Sequence, residues 1–161
     1  MAATTVATGR IRVLATLVAI AGVVMVLAGG ATWFVVRDQL MAENITVADD
    51  ADMLAGEEVA GPLTAYAQAD VINEHALEAS GGRTYAEIPQ EDESRQTVMT
   101  ASFLRASLFT SVVSFGVAAM AAGIGLVFLL IAWALFGVAR SLGVAAATPD
   151  LDRDDEPGPI Y

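Results

Sequence analysis

Two long apolar stretches without a charged residue, residues 13–36 and 106–139, constrain this chain more than any other feature. Since a helix rises about 1.5 Å per residue, about 20 apolar residues cross a hydrocarbon layer of about 30 Å. The first stretch has 24 residues and the second has 34, so each is long enough to span a bilayer. The sequence predicts an all-α membrane protein, a hairpin of two transmembrane helices with a mostly helical extracytoplasmic loop.

This pattern predicts five segments along the chain. Residues 1–12 form a cytoplasmic N-terminus, residues 13–36 the first transmembrane helix, and residues 106–139 the second. Between the two helices, residues 37–105 form an acidic helical region on the far side of the membrane. Residues 140–161 are rich in Asp and Pro, a composition that cannot bury enough apolar surface to fold, so we expect a disordered acidic cytoplasmic tail.

The first apolar stretch resembles a secretory signal because Arg10 and Arg12 precede it. A signal peptide has an apolar core of about 7–15 residues, whereas this stretch continues past Gly29 and Gly30 to Val36. We therefore expect a retained membrane anchor.

The arginines predict the orientation of the chain in the membrane. Four of them lie within the loop or at its ends and four lie outside the hairpin, so their total number does not decide. Close to the first helix, Arg10 and Arg12 on the N-terminal side outnumber Arg37, which is followed by Asp38. We expect both termini in the cytoplasm, the loop of residues 38–105 outside, and Trp33 and Trp133 near the two interfaces.

Composition narrows the possible partners and chemistry. A net charge of −11 argues against a nucleic-acid partner, because binding phosphates requires clustered cations. The absence of cysteine excludes disulfides and thiol catalysis. All eight cations are arginine, a bias that, with abundant Ala, Gly and Val, is typical of a GC-rich genome, so we expect a bacterial cytoplasmic membrane protein.

Within the loop, the sequence predicts two helices and an acidic connector. The residues around Asp50, rich in Asp, Glu, Ala and Gly, suggest a loosely structured connector. Gly61-Pro62 opens a helix through Ala79, which Gly81-Gly82 ends. Its expected apolar stripe comprises Leu63, Tyr66, Ala69, Ile72, Ala76 and Ala79. Pro89 is expected to start a third helix that continues into the second membrane span.

Small residues recur at three- and four-residue spacing on both predicted spans. In lipid, helices associate through close backbone approach, so such faces indicate helix docking. The two faces either meet each other within the hairpin or dock a different membrane protein. The residues concerned are Ala15, Ala19, Gly22 and Gly29 on the first span, and Ser107, Ser111, Ser114, Ala118, Ala121, Ala122 and Gly125 on the second.

The single histidine, His75, is flanked by Glu74, and Glu78 lies nearly one turn further on. An imidazole beside carboxylates on a helix can bind a divalent metal, but metal sites usually have three or four converging ligands. Asp70, Glu74, His75 and Glu78 are thus candidate metal ligands, with a solvated histidine as the simpler interpretation. No phosphate-binding loop or nucleophile–histidine–acid arrangement is found, so we expect no cofactor and no enzymatic activity.

Two blocks of sequence resemble a family of actinobacterial two-span membrane proteins of unknown function. The first is Gly61-Pro-Leu-Thr-Ala-Tyr-Ala-Gln-Ala-Asp70 with its continuation to Glu87, and the second is Val98-Met-Thr-Ala-Ser-Phe-Leu-Arg-Ala-Ser-Leu-Phe109. Members often carry the automatic label of aromatic ring-opening dioxygenase of the LigA type. Non-haem iron usually requires two histidines and a carboxylate, and this chain has one histidine, so that activity is not carried over.

The resemblance implies an envelope protein with a motif-rich outward loop. Its possible recognition surface comprises Tyr66, Gln68, Asp70, Asn73 and His75. Alternatively, Tyr66 and its neighbours only pack this helix onto the extension of the second span.

From these observations we expect a non-enzymatic accessory or assembly subunit that docks onto a larger membrane complex and presents an acidic surface outside the cytoplasm. Its expected partners are the lipid bilayer and another membrane protein, or a second copy of itself. The alternative hypothesis is an envelope module that binds a cation or ligand through Asp70, Glu74, His75 and Glu78.

Overall fold

The computed structural model describes the backbone of residues 2–147 and the side chains of residues 8–143. Along the chain, α1 (Ala2–Ala42) is followed by α2 (Pro62–Ala79), a 3-10 turn (Tyr85–Glu87) and α3 (Ser94–Ala147). Thr8–Ala42 and Ser94–Gly143 are both long and apolar enough to cross a membrane, with a mean hydropathy of 2.5 in their most apolar windows. The predictions of an all-helical fold and of two candidate spans are confirmed.

The described part of the chain divides into two compact units, one formed by residues 2–24 with residues 124–147, and the other by Met25–Gly123. In the first unit, α1 and α3 approach each other at glycines. A Cβ atom added to Gly22 would lie 2.8 Å from the Gly125 carbonyl oxygen and 3.0 Å from Leu129 Cγ. Ala15, Ala132 and Ala139 are buried in the same unit. Small side chains allow this close helix packing.

In the second unit, α1 and α3 pack through both small and aromatic residues. A Cβ atom on Gly29 would lie 2.6 Å from the Ala118 carbonyl oxygen and 2.8 Å from the Ala122 nitrogen. One turn along α1, the ring of Trp33 meets the edge of Phe115 at 4.7 Å between centroids. Leu40 and Leu108 continue the same buried cluster. Here a glycine contact and an aromatic pair lie side by side.

The connector, residues 45–59, is an ordered loop rather than the loosely structured segment that its acidic composition predicts. Val47 N–H donates to the Glu57 carbonyl at 2.8 Å, and Val59 N–H donates to the Ile45 carbonyl at 2.9 Å. Thr46 and Glu58 form an antiparallel bridge, and both valine side chains are buried. The prediction is wrong because the two valines fold the loop onto the core while its carboxylates face outward.

The bounds of α2 agree with the prediction. Pro62 occupies the first turn, and Thr64 Oγ1 accepts hydrogen bonds from the N–H groups of Ala60 and Gly61. At the other end, Gly81 and Gly82 adopt φ values of 67° and 81°, and Gly82 N–H donates to the Leu77 carbonyl at 2.7 Å. Positive φ is the conformation that glycine adopts most readily at a helix C-terminus.

The predicted apolar stripe of α2 is only partly buried. Leu63 is 69% exposed and Tyr66 is 43% exposed, whereas Ala69 and Ala76 are buried. Ala65, Ala67 and Val71, which were not assigned to the stripe, are buried as well. Three- and four-residue spacing alone identifies one face, but α2 is covered on more than one side, and its alanines allow close approach there.

The third helix begins at Ser94, five residues after the predicted start at Pro89. Asp92 Oδ1 accepts hydrogen bonds from the N–H group and the hydroxyl of Ser94, at 3.0 and 2.7 Å. These bonds from Ser94, followed by the bond from Arg83, lower the pKa of Asp92 to about 2. The proline therefore belongs to a preceding turn, and the charged carboxylate stabilises the start of the helix.

At its other end, α3 continues to Ala147. The first eight residues of the segment predicted as a disordered tail, 140–161, are therefore helical. The remainder of that predicted tail, residues 148–161, lies outside the described residues.

Candidate functional site

The five residues of the predicted recognition surface do not share one face of α2. Successive helical residues are about 100° apart, so Tyr66, Asp70 and Asn73 project from one side and Gln68 and His75 from the opposite side. All five lie within α2. The surface therefore divides into two groups with different contacts.

The side chains of Gln68 and His75 form hydrogen bonds with the connector. The Ala48 N–H group donates to Gln68 Oε1 at 2.9 Å. His75 Nε2 lies 2.6 Å from Asp50 Oδ2. This hydrogen bond, reinforced by the opposite charge, raises the pKa of His75 and lowers the pKa of Asp50. Both side chains thus have a structural contact within the protein.

Tyr66, Asp70 and Asn73 lie near different parts of the structure. The ring of Tyr66 meets Phe109 edge-on, with 5.9 Å between the centroids. Asp70 is exposed and lines a shallow cavity of about 160 Å³ beside the connector. Asn73 lines a separate cavity of about 80 Å³. The Tyr66 contact fits the alternative in which this side chain packs α2 onto α3.

The candidate metal ligands do not converge. Within residues 8–143, no group of three or more His, Cys, Asp or Glu side chains is arranged to hold a metal ion. His75 is bound to Asp50, whereas Glu74 and Glu78 act on it only through their charge, which raises its pKa further. Asp70 and Glu74 line the cavity beside the connector with Asp52.

The predicted packing residues of α1 differ in how deeply they are buried. Ala15 and Gly22 are buried in the first unit and Gly29 in the second, while Ala19 is half-buried. The close approach of α3 backbone atoms to Gly22 and Gly29 leaves no room for a Cβ atom at these two positions unless the helices shift.

The small residues of the predicted stripe on α3 differ in burial and in contacts along the helix. Ser107 is exposed, Ser111 and Ser114 are half-buried, and their hydroxyls donate to carbonyls of the preceding turn, Ser107 and Thr110. In the second unit, Ala118 is buried, Ala121 and Ala122 are half-buried, and Ala118 and Ala122 contact Gly29. Gly125 is buried in the first unit. The alanines and Gly125 thus provide the close helix contacts, whereas the serine hydroxyls are satisfied within α3.

Sequence reasoning missed several buried residues of α3, among them Phe115, Ala132 and Ala139. Phe115 is 1% exposed and packs on Trp33, a residue that the sequence predicts near the membrane interface. Ala132 and Ala139 are also buried, and they follow Gly125 at intervals of seven residues. That spacing, typical of long packed helices, was a signal that could have identified them.

A second small-residue face of α3 is open in the second unit. Gly116, Ala119 and Gly123 are exposed and follow one another at three- and four-residue spacing. A Cβ atom added to Gly116 or Gly123 would have no neighbour within 4 Å. These three residues, here called the open face, lie beside the face that contacts α1. Ala119 follows Phe115 by one helical turn, whereas Gly116 and Gly123 project further from the α1 contact.

The arginines of residues 83–105 lie near one another, in contrast to the exposed carboxylates of the connector. Arg83 and Arg105 line the cavity of about 80 Å³ together with Tyr85. The guanidinium of Arg95 lies over the ring of Tyr85, 4.2 Å from its centroid. A local basic site therefore exists within a strongly acidic chain.

No protein-family model, curated protein or solved structure matches this chain. The resemblance to actinobacterial two-span proteins stays a prediction from the residues. The function of the protein is therefore inferred from the geometry described above.

Proposed function

We propose that the protein is a non-enzymatic integral membrane protein that docks onto another membrane protein through the open face of α3. The observation that carries this proposal is the exposure of Gly116, Ala119 and Gly123 in a helix whose other small-residue face already contacts α1. Such a protein would act as an accessory or assembly subunit of a larger membrane complex.

Membrane insertion is supported by the large apolar side chains on the surface of both long helices. Leu17 and Phe34 of α1 and Leu130 and Trp133 of α3 are each more than half exposed. Only 11% and 22% of the residues in the most apolar windows are buried, which is unlike the core helix of a soluble protein. Lipid would cover these side chains without the free-energy cost of exposing them to water.

The orientation follows from the arginines beside the first candidate span. Arg10 and Arg12 favour a cytoplasmic N-terminus, and a hairpin of two spans returns the C-terminal side to the cytoplasm. The connector and α2 then lie outside the bacterial cytoplasmic membrane. The whole segment of residues 38–105, which carries most of the carboxylates, would then lie outside the cytoplasm.

The open face suits a second transmembrane helix. Glycine and alanine spaced by three or four residues let two helix backbones approach closely, and dispersion forces and weak hydrogen bonds then hold them together. The small residues are predicted either to pack the two helices of the hairpin together or to dock another membrane protein. The contact of Gly29 with Ala118 accounts for packing within the hairpin. The open face is the proposed docking surface for a partner helix.

The proposed outward surface is acidic. Eight carboxylate side chains of the connector and α2 are exposed, namely Asp49, Asp50, Asp52, Glu57, Glu58, Asp70, Glu74 and Glu78. Such a surface attracts a basic partner and repels an acidic one over about a Debye length. It therefore adds charge selectivity to docking within the membrane.

Affinity purification of the tagged protein from native membranes in a mild detergent, followed by mass spectrometry, tests the proposal. We expect a stoichiometric membrane protein that is lost with Gly116→Leu or Gly123→Leu, because leucine blocks close approach at the open face. Val117→Leu is the matched control, since Val117 is exposed on a different side of the same helix. Ala118→Leu is unsuitable because Ala118 contacts Gly29.

Two results would contradict the proposal. Retention of the partner by both leucine variants would place docking elsewhere on the molecule. Recovery of the tagged protein with no other membrane protein, and without self-association sensitive to these variants, would argue against a docking subunit.

A further inference from the structure

Arg105 carries a buried hydrogen-bond donor without a partner. Its Nε atom is the one side-chain nitrogen or oxygen among residues 8–143 that is buried and forms no hydrogen bond. Arginine keeps its charge in proteins, and buried polar groups are nearly always paired with protein, water or ligand. Its guanidinium lies over the ring of Phe109, 5.4 Å from the ring centroid. A cation–π contact does not satisfy the Nε–H donor.

The cavity beside Arg105 is lined by groups that can donate hydrogen bonds. Its volume is about 80 Å³, enough for several waters or a small oxyanion. No Asp or Glu side chain lines it, although the chain has 19 of them. Its polar wall, here called the arginine pocket, consists of Asn73, Arg83, Thr84, Tyr85, Ser102 and Arg105.

Arg83 is held in place at the pocket by two contacts. Its Nε donates to the Ser80 carbonyl at 2.9 Å, and its Nη2 donates to Asp92 Oδ2 at 2.8 Å. Asp92 partly neutralises Arg83, whereas no ion pair in the described part of the chain involves Arg105. Arg105 therefore supplies the uncompensated charge of the pocket.

Arg95 adds positive charge behind Tyr85. Its guanidinium stacks over the tyrosine ring and donates to the Ile88 carbonyl. Three of the four arginines of residues 37–105 are thus near this ring, and the arginine pocket is locally basic. A basic concavity attracts anions even on a protein of negative net charge.

We infer that the arginine pocket binds a phosphate-type oxyanion, with the Arg105 guanidinium as its main donor. Arginine presents planar, charged N–H groups that match phosphate oxygens. The Ser102 hydroxyl donates to the Val98 carbonyl and the Tyr85 hydroxyl to Met99 Sδ, so the guanidinium groups provide the donors for the anion. The source is either a phospholipid headgroup or free phosphate. The headgroup source rests on the proposed membrane insertion, because Arg105 directly precedes the apolar stretch of residues 106–139.

The test uses the full-length protein in a phosphate-free maltoside detergent, with the thermal unfolding midpoint as readout. The probes are inorganic phosphate, dioleoyl phosphatidic acid, and dioleoylglycerol as the matched lipid without phosphate, all at equal ionic strength. We expect at least one phosphate-bearing probe to raise Tm by a few degrees at about ten times its Kd. Arg105→Gln should abolish this rise, and Arg37→Gln, which removes an exposed arginine, should retain it.

The results identify the source of the oxyanion or contradict the inference. A rise with phosphatidic acid alone identifies the headgroup as the source, and a rise with inorganic phosphate as well identifies a general oxyanion site. No rise with either probe, an equal rise in Arg105→Gln, or an equal rise with dioleoylglycerol overturns the inference. Since the inorganic phosphate arm does not depend on membrane insertion or on a docked partner, failure of the pocket and failure of the proposed function give different results.

Discussion

Two faces of α3 within Met25–Gly123 have similar small residues and opposite environments. On one face, Ala118 and Ala122 contact Gly29 of α1, and Phe115 is buried against Trp33. On the other, Gly116, Ala119 and Gly123 of the open face are exposed, and a Cβ atom at either glycine would have no neighbour within 4 Å. Phe115 and Gly116 are adjacent in sequence, yet one is among the most buried large side chains and the other is exposed.

The difference shows that a small residue has no fixed role in a helix. At Gly29, the missing side chain allows α3 backbone atoms to come within 2.8 Å of where a Cβ would lie. At Gly116, the missing side chain leaves open space. Substitutions should therefore have large effects on folding at the packed face and small effects at the open face.

The largest effect is expected for Phe115→Ala. Removing a buried aromatic ring loses its transfer free energy and leaves a cavity beside Trp33, so we expect destabilisation by about 3–5 kcal/mol. Reversible denaturation in detergent, followed by Trp fluorescence, measures it. Phe103→Ala, at a phenylalanine that is 68% exposed, is the control and should change stability little. Equal losses for both variants would contradict the packed environment of Phe115.

A smaller but clear effect is expected for Gly29→Val. The new side chain would clash with the backbone of Ala118 and Ala122, so the helices must separate, at a cost of about 1–3 kcal/mol. The neighbouring Gly30 has nothing within 4 Å of its Cβ position, which makes Gly30→Val a matched control with the same change in residue. The same denaturation measurement should separate the two variants. If Gly30→Val were as destabilising as Gly29→Val, loss of helix packing would not be the cause.

At the open face, Gly116→Ala should leave stability unchanged or raise it by up to about 1 kcal/mol. Alanine favours the helix over glycine by about this amount, and the added methyl group meets no neighbour. A loss of stability in the purified protein without a partner would show that Gly116 is packed. Comparison with Gly29→Ala, where the methyl group meets backbone atoms, tests the contrast between the faces directly.

The smallest effect is expected from pH, and it should arise outside both faces, since residues 106–139 contain no charged side chain. The hydrogen bond with Asp50 raises the pKa of His75 above 6.5, so its stabilising contribution is present below that value and is lost as pH rises through the raised pKa. The same bond lowers the pKa of Asp50 below 3.8, so that contribution is present above 3.8 and is lost as pH falls.

Thermal unfolding of the wild type and of His75→Gln at about pH 6 and about pH 9 checks this expectation. The wild type should lose a small part of its Tm on going to the higher pH, and the variant should lose less. The change should be small because both side chains are exposed. Identical pH dependence in the two proteins would show that the His75–Asp50 contact does not stabilise the connector.

The start and end of α2 could be predicted because local chemistry determines them. Proline suits the first turn of a helix, and two glycines with positive φ end it, whatever the rest of the fold does. The start of α3 could not be predicted from Pro89 alone, because the hydrogen bonds of Asp92 with Ser94 compete with the proline signal.

The residues of the candidate site were predictable as residue types but not as contacts. Gln68 and His75 were predicted as part of a possible recognition surface, whereas in the structure their side chains contact Ala48 and Asp50, which lie 20 and 25 residues away. Arg105 counts in the sequence only as one of the arginines of the loop, and the burial of its Nε depends on the folded structure. Helix periodicity contains no information about such long-range pairs.

The amino-acid order alone determines that this chain has two long apolar helices and that acidic residues dominate the segment between them, because length, hydropathy and charge are properties of the chain itself. The fold decides which glycines are packed, which carboxylate binds His75, and where a basic pocket forms in an acidic protein. Those outcomes depend on distances between residues far apart in sequence, and such distances are set only when the helices pack.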